Sequence, residues 1–249
     1  MHTVNYEDQE DLQFILRGIN LVISTIPRHA QLKLIDAAAH AGVSRFVPSE
    51  FEGSLDRRPR DDPLDPGQYH KATMSRLRHW SKRGNRMKST VVTCGVFYER
   101  FAPGGMESLD IGSSTNISSQ GSYLMDVGYQ QALIVEKGNQ QIWLNMTSAN
   151  DVAYFLVAAL ELGLENWLPE FKIRGDQLSI AEVVRWGEYI SKGLLSTAGE
   201  WCISTEASNC RYTLHDFCHR LSRPSGRDQC CFTQLRPCKT CKIARTASH

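Results

Sequence analysis

Two short apolar runs joined by an alanine-rich segment constrain the fold of this chain most. Residues 20–24 (NLVIS) lack polar–apolar alternation, which indicates a strand covered on both faces, and residues 43–47 predict a second strand. Between them, residues 29–41 have helical spacing and are followed by Gly42. A strand, a helix and a strand in this order predict a right-handed crossover, and therefore an α/β fold with a doubly wound parallel sheet.

Further segments of the first hundred residues continue this pattern: we expect helices over 8–17 and 68–82 and a buried strand over 90–97. The second half predicts a hairpin over 132–145 and helices over 152–162 and 180–190. Residues 148–151 (SAND) are a capping signal for the first of these helices, and the capping box of Ser179 and Glu182 opens the second.

Composition excludes several classes of protein. No apolar run reaches the roughly 18 residues of a membrane helix, and the acidic, polar start is unlike a signal peptide. We therefore expect a cytoplasmic protein that does not associate with membranes. A net charge of +1 argues against a nucleic-acid-binding domain.

The C-terminal segment, residues 192–249, differs chemically from the rest of the chain. It is basic, and every cysteine except Cys94 lies within it. We expect a tail without stable structure, and we assign no metal site. Zinc binding through Cys238 and Cys241, disulfides, or a basic binding segment stay open as alternatives, because a lone Cys-x-x-Cys pair is a weak metal signature.

Several strings in the first half carry a family resemblance: residues 20–25 (NLVIST), 31–38 (QLKLIDAA) and 41–51 (AGVSRFVPSEF). They resemble the isoflavone-reductase/NmrA-like family of atypical short-chain reductases, and their sequences are most similar to those of fungal members. Three further stretches follow in the same order as in the family: Lys71 within its helix, residues 95–101, and residues 150–159 ahead of 171–175. The resemblance covers roughly residues 4–191.

This resemblance implies a fold and an activity. Members of the family that the chain resembles transfer a hydride from NADPH to a small, often aromatic, specialised metabolite. It implies a partial Rossmann-like NAD(P)-binding domain over residues 1–100, α+β substrate-domain elements over 101–191, and the tail over 192–249.

The resemblance also implies a catalytic residue. Lys71 matches the lysine proposed as acid/base near the nicotinamide, and burial would lower its pKa toward a useful range. Helical periodicity alone favours a solvated lysine, because Lys71 lies among other basic residues and away from the apolar stripe of its helix.

Candidate cofactor-binding residues follow the predicted strands. Ser24 and Thr25 end the first strand, Ser49 follows the second, and Gly95 and Phe97 end the third. Ligands of open α/β sheets bind at the carboxyl ends of strands, so these residues are expected to contact NADP(H). Turn chemistry before Pro27 is the alternative for Ser24 and Thr25, and plain core packing is the alternative for Phe97.

The start of the chain departs from the family pattern. A member opens with a strand, a Gly-x-x-Gly-x-x-Gly turn, a helix and a second strand, whereas residues 2–6 match a remnant of the third strand. We therefore expect an N-terminally truncated chain without the phosphate-binding loop, and weakened NADPH binding. The strand at 20–24 would then form an open sheet edge that an oligomer or a partner covers.

A second function stays open beside the reductase. NmrA-like proteins include non-catalytic regulators, and such a redox sensor would bind a dinucleotide or a protein partner without turnover.

Overall fold

A computed structural model of the chain describes residues 4–26, 28–54, 65, 67–82, 87–112, 123–133, 141–194 and 202–204. The described residues form two compact units. Unit 1 contains those up to Gly95 together with Val152–Ile173, and unit 2 contains Val96–Asp151 and those from Arg174 onward. Each unit is made of more than one segment of the chain, whereas the predicted functional domains are continuous. The limits of those domains stay a prediction.

The helices in chain order are α1 (Gln9–Ile15), α2 (Arg28–His40), α3 (Tyr69–Lys82), α4 (Ala149–Leu160) and α5 (Ile180–Leu194). The strands are β1 (Leu21–Ile23), β2 (Arg45–Val47), β3 (Lys88–Ser89), β4 (Val91–Thr93), β5 (Val96–Phe97), β6 (Met125–Asp126), β7 (Gln131–Leu133), β8 (Trp143–Thr147), β9 (Glu170–Lys172), β10 (Asp176–Ser179) and β11 (Cys202–Ser204).

Unit 1 is built around a parallel sheet. β1 pairs with β2, and β2 pairs with β3, all in parallel. Thr90 separates β3 from β4, and its N–H donates to the Phe46 carbonyl at 3.0 Å, which continues the ladder. β4 then pairs in parallel with β9. The α/β fold with a parallel sheet, predicted from the sequence, is confirmed.

Burial differs between the first two strands. Every residue of β2 is buried, as expected for a strand covered on both faces. Ile23 at the end of β1 is 38% exposed, so the prediction that this strand is buried on both faces was wrong. Among the described residues, β1 pairs with β2 alone, and its other edge has no partner strand.

Helices α1, α2 and α3 pack in sequence order within unit 1, α1 against α2 and α2 against α3. Asp8 caps α1 by accepting the N–H groups of Glu10 and Asp11, and Gly18 takes the left-handed conformation after the helix. Ile35, Phe46 and other apolar side chains that the helices and β2 contribute form one buried cluster.

Unit 2 contains two small sheets, ordered β10–β8–β5 and β11–β7–β6. The hairpin predicted over 132–145 is wrong for the described residues, because β7 and β8 lie in different sheets. Short apolar runs indicate strands, but they do not specify which strands pair. β8 pairs instead with β10, antiparallel, and with β5, parallel.

Both predicted helix caps are present. The Ser148 hydroxyl accepts the Asp151 N–H at 3.0 Å. Glu182 accepts the Ser179 N–H at 2.8 Å, and the Ser179 hydroxyl accepts the Glu182 N–H at 3.2 Å, which is the reciprocal pattern of a capping box.

Helix α5 continues to Leu194, and β11 pairs in parallel with β7. Cys238, Cys241 and most of the predicted tail lie outside the described residues. Within the described ranges, no group of three or more His, Cys, Asp or Glu side chains could hold a metal ion. No described helix is long and apolar enough to cross a membrane.

Candidate functional site

The carboxyl ends of the parallel strands in unit 1 bring most of the predicted site residues to one edge of the sheet. Ser24 directly follows β1, Ser49 comes two residues after β2, and Gly95 two residues after β4. We call Ser24, Thr25, Ser49 and Gly95 the strand-end edge. In open α/β sheets this edge is where ligands bind.

Backbone hydrogen bonds hold the strand-end edge together. The Ser24 N–H donates to the Val47 carbonyl at 2.8 Å. The Glu52 carbonyl accepts the N–H groups of Cys94 at 3.0 Å and Gly95 at 3.1 Å. The loops after β1, β2 and β4 are therefore fixed to one another by the main chain.

The two residues after β1 differ in what they offer to a ligand. Ser24 is 1% exposed, and its hydroxyl both accepts the Ile26 N–H at 3.3 Å and donates to the Ile26 carbonyl at 3.4 Å. Its hydroxyl therefore serves the turn, as the alternative interpretation of this position held. Thr25 is exposed.

Gly95 has a positive φ of 77°. Residues with a Cβ rarely adopt this conformation because it is sterically strained. Glycine therefore lets the chain turn after β4 without that strain. The preceding Cys94 is fully buried.

A buried amide on α2 joins the strand-end edge to α3. Gln31 is 1% exposed; its Oε1 accepts the Ser49 N–H at 2.5 Å, and its Nε2 donates to the Thr73 hydroxyl at 3.2 Å. The sequence interpretation missed this residue. A signal existed, because Gln31 shares helical spacing with the buried residues Leu34 and Ile35, and a polar residue on such a face needs hydrogen-bond partners.

Lys71 lies on α3 with its side chain exposed, and its Nζ donates to the Gln68 Oε1 at 3.0 Å. Thr73, two residues later, is fully buried. Residues two apart in a helix point to nearly opposite sides, so α3 uses one side for packing and presents Lys71 on the other.

Asp65 organises the start of α3. Its carboxylate accepts the N–H groups of Tyr69 at 3.0 Å and His70 at 2.9 Å, and it contacts the His70 ring Nδ1. Burial raises the pKa of Asp65, but these hydrogen bonds outweigh it and lower the pKa below its usual value. The helix that carries Lys71 therefore begins at an anchored position.

Arg45, at the other end of β2, is a buried cation. It is 3% exposed, donates to the Thr90 hydroxyl at 2.7 Å, and lies 5.9 Å from the centre of the Trp167 ring. Burial lowers the pKa of its guanidinium. Since it lies at the amino end of the strand, it contributes to packing rather than to the strand-end edge.

Phe97, the remaining predicted site residue, lies in β5 of unit 2 and is partly buried. Two residues later, Glu99 accepts the Ala149 N–H at 2.9 Å through Oε1, at the start of α4. Its Oε2 is buried with no partner among the described residues. Burial raises the pKa of Glu99, and the nearby charge of Asp151 adds to the effect.

Solved structures with the same fold include isoflavone reductase, at 20% identity and a TM-score of 0.55, covering 89% of this chain and 64% of that one. A structure of AtPrR2 with NADP+ and (+)-pinoresinol has 21% identity and a TM-score of 0.54, covering 76% and 58%. Leucoanthocyanidin reductase from Vitis vinifera, in a ternary complex, has 18% identity and a TM-score of 0.50, covering 74% and 58%. The chain thus spans about three-fifths of their length.

At such identities these structures establish the Rossmann-like α/β fold alone. A search among curated proteins finds no match. The model of the NmrA-like family matches residues 2–194. That range holds nearly all of the described residues, including the strand-end edge and Lys71, and the chain therefore belongs to the NmrA-like family.

Proposed function

We propose that the strand-end edge holds the nicotinamide end of NADPH, and that the protein takes part in the reduction of a small aromatic metabolite. The observation that carries this proposal is the convergence of Ser24, Thr25, Ser49 and Gly95 at the carboxyl ends of neighbouring parallel strands. Membership of the NmrA-like family and the NADP+ and pinoresinol in the AtPrR2 structure support it.

The chemistry of the strand-end edge suits part of such a cofactor. Its side chains are small and uncharged, and the hydroxyls of the exposed Thr25 and the partly exposed Ser49 could contact a ligand. The Ser49 N–H donates to Gln31, so a ligand would contact Ser49 through its hydroxyl. Hydroxyls of this kind fit a ribose or an amide, whereas a pyrophosphate requires several backbone N–H groups or cations.

NADPH, when bound, supplies the hydride for the reduction. The protein then has to orient the substrate and deliver a proton. We propose Lys71 for this role: its ammonium donates a hydrogen bond to the substrate oxygen and gives up a proton to it. Phe97 stays a prediction, and the proposed site does not depend on it.

The test is a set of variants of the full chain. Fluorescence titration with NADPH measures binding, and NADPH oxidation over a panel of aromatic metabolites that includes (+)-pinoresinol measures turnover. We expect Lys71→Ala to lower kcat about a hundredfold, the usual size of a general acid–base contribution.

Lys82→Ala is the matched control, because Lys82 is an exposed lysine on the same helix. It should leave kcat unchanged. Equal turnover by Lys71→Ala and the unmodified chain would exclude the acid/base role.

The exposure of Lys71 and its hydrogen bond to Gln68 favour a second candidate function. An exposed amine held by a neighbouring amide is compatible with a protein that binds the dinucleotide as a redox signal and does not turn it over. NADPH binding without NADPH oxidation across the panel would support this regulator, and turnover above background would exclude it.

We also propose that the outer edge of β1 is covered by a second copy of the chain. Ile23 is 38% exposed beside this edge, and unpaired strand edges favour association with another strand. Light scattering should detect a dimer, and Ile23→Lys should weaken it because charges oppose edge pairing. A monomer at all concentrations would contradict this.

A further inference from the structure

We propose that Gln31 is a positioning residue that fixes the Lys71 helix relative to the strand-end edge. This inference rests on the proposed function of that edge. It concerns how the site is held in shape, which neither the family nor the strand-end positions specify.

The geometry assigns this role to one side chain. The amide of Gln31 accepts from the Ser49 main chain at 2.5 Å and donates to the Thr73 hydroxyl at 3.2 Å. Ser49 belongs to the strand-end edge, and Thr73 lies two residues after Lys71. A single planar group therefore sets the separation between the loop after β2 and the part of α3 that carries the proposed acid.

The chemistry of the position explains why an amide suits it. A glutamine side chain offers an acceptor and a donor at the same time, and both are used here. Gln31 and Thr73 are almost fully buried, at 1% and 0% exposure, so water cannot easily replace a lost partner. Breaking the link leaves a buried polar group without a hydrogen bond. Because the surroundings are closely packed, α3 can relieve this only by moving relative to the strand-end edge.

A second link between α2 and α3 provides an internal comparison. Asp36 accepts from Arg76 at 2.6 Å and from the Trp80 ring N–H at 2.7 Å. The residue numbers of both links rise together, from 31–73 to 36–76, so the two helices run parallel. The Asp36 link joins the same helices without contacting a residue of the strand-end edge.

The experiment uses the full chain, with NADPH as the probe and its dissociation constant as the readout. Gln31→Met removes both hydrogen bonds at similar volume and should raise Kd about tenfold, the equivalent of one lost hydrogen bond. Thr73→Val removes only the hydrogen bond to the hydroxyl and should raise Kd less than Gln31→Met. Thr73→Ser keeps the hydroxyl and should leave Kd unchanged. In the double variant, the two effects should not add, because both act through one link.

Asp36→Ala is the control, because it loosens the same helix pair and lowers the thermal midpoint. We expect its Kd to equal that of the unmodified chain. A merely structural role of Gln31 would make Kd follow the thermal midpoint in all variants, and that result would overturn the inference.

Two other outcomes are distinguishable. If the unmodified chain binds NADPH and Gln31→Met binds it equally well, the positioning role is excluded and the proposed function stands. If the unmodified chain does not bind NADPH, the proposed function fails, and the positioning role fails with it.

Discussion

The strand-end edge in unit 1 and the start of α5 in unit 2 are held in shape by polar contacts of different range along the sequence. In unit 1, side chains distant in sequence bridge buried segments: Gln31 reaches Ser49 and Thr73, and Asp36 reaches Trp80. At the start of α5 in unit 2, the capping contacts join Ser179 and Glu182, which are only three positions apart. The start of α5 could therefore be predicted from the sequence pattern, whereas the geometry of the proposed site in unit 1 depends on long-range hydrogen bonds.

The largest expected effect separates the buried sheet of unit 1 from the exposed surface of unit 2. Phe46 in β2 is fully buried, and Phe46→Ala should lower the free energy of unfolding by about 4 kcal/mol through lost burial and a cavity. Urea unfolding followed by circular dichroism measures it. Trp143→Ala, at a side chain 52% exposed in unit 2, should cost less than about 1 kcal/mol. Similar losses in the two variants would contradict the expected difference between a buried and an exposed side chain.

A long-range polar link should matter next. Asp36→Ala removes the hydrogen bond that the Trp80 ring N–H donates to the Asp36 carboxylate, and Trp80 is 8% exposed. We expect a loss of about 2 kcal/mol in the free energy of unfolding, the usual contribution of a hydrogen bond to a charged group. Hydrogen exchange should increase in peptides from both α2 and α3. Arg76→Ala, which removes only the exposed partner, should cost about 0.5 kcal/mol; an equal cost would assign the stabilisation to the ion pair instead.

A local cap should have a smaller and more confined effect. Glu182→Ala removes half of the capping box and should cost about 1 kcal/mol, with faster hydrogen exchange restricted to the start of α5. Glu182→Gln keeps the acceptor and should cost less. Exchange that increases far from α5 would contradict a local role.

The same carboxylate has a defined pH dependence. Hydrogen bonds from the Ser179 N–H and hydroxyl lower the pKa of Glu182 below 4.5 in the folded protein. A lowered folded-state pKa means that the cap stabilises at neutral pH and that this contribution is lost as pH falls through the lowered pKa. Glu182→Gln should abolish this part of the acid dependence.

Glu99 should show the smallest effect, and it has the opposite sign. Burial, with Asp151 nearby, raises its folded-state pKa, so ionisation opposes folding as pH rises from 4.5 through that raised value. Glu99→Gln should therefore stabilise the protein at neutral pH, by less than about 1 kcal/mol because the group is partly screened by solvent. The gain should disappear near pH 4, measured by urea unfolding; a gain that persists there would contradict the ionisation argument.

Much of unit 1 could be predicted from the sequence because its elements follow simple periodicities. The run around Val22, the spacing of Leu34 and Ile35 and the glycine at Gly42 correctly predicted β1, α2 and the turn after α2. The order of these elements then implied parallel pairing. The caps at Ser148 and Ser179 were equally legible, since a cap involves residues only three positions apart.

The candidate site was predictable in part. Strand-end positions brought Ser24, Thr25, Ser49 and Gly95 to one edge because parallel strands share a carboxyl end. The pairing of β8 with β10 and β5, in place of a hairpin with β7, was not predictable, because an apolar run is compatible with several neighbours. Sequence alone also could not show that the Ser24 hydroxyl is taken up by the turn to Ile26.

The α/β fold and the NmrA-like family could be recognised from the amino-acid sequence, because periodicity and short motifs are local properties of the chain. The strand ends proposed to hold a ligand could be located in the same way. The bonds by which Gln31 joins Ser49 to Thr73 are visible only in the folded protein, whereas the exposure of Lys71 agrees with the solvated side that its helical spacing favoured. Those contacts join residues 18 and 42 positions apart, and their partners become defined only when α2, α3 and the loop after β2 pack together.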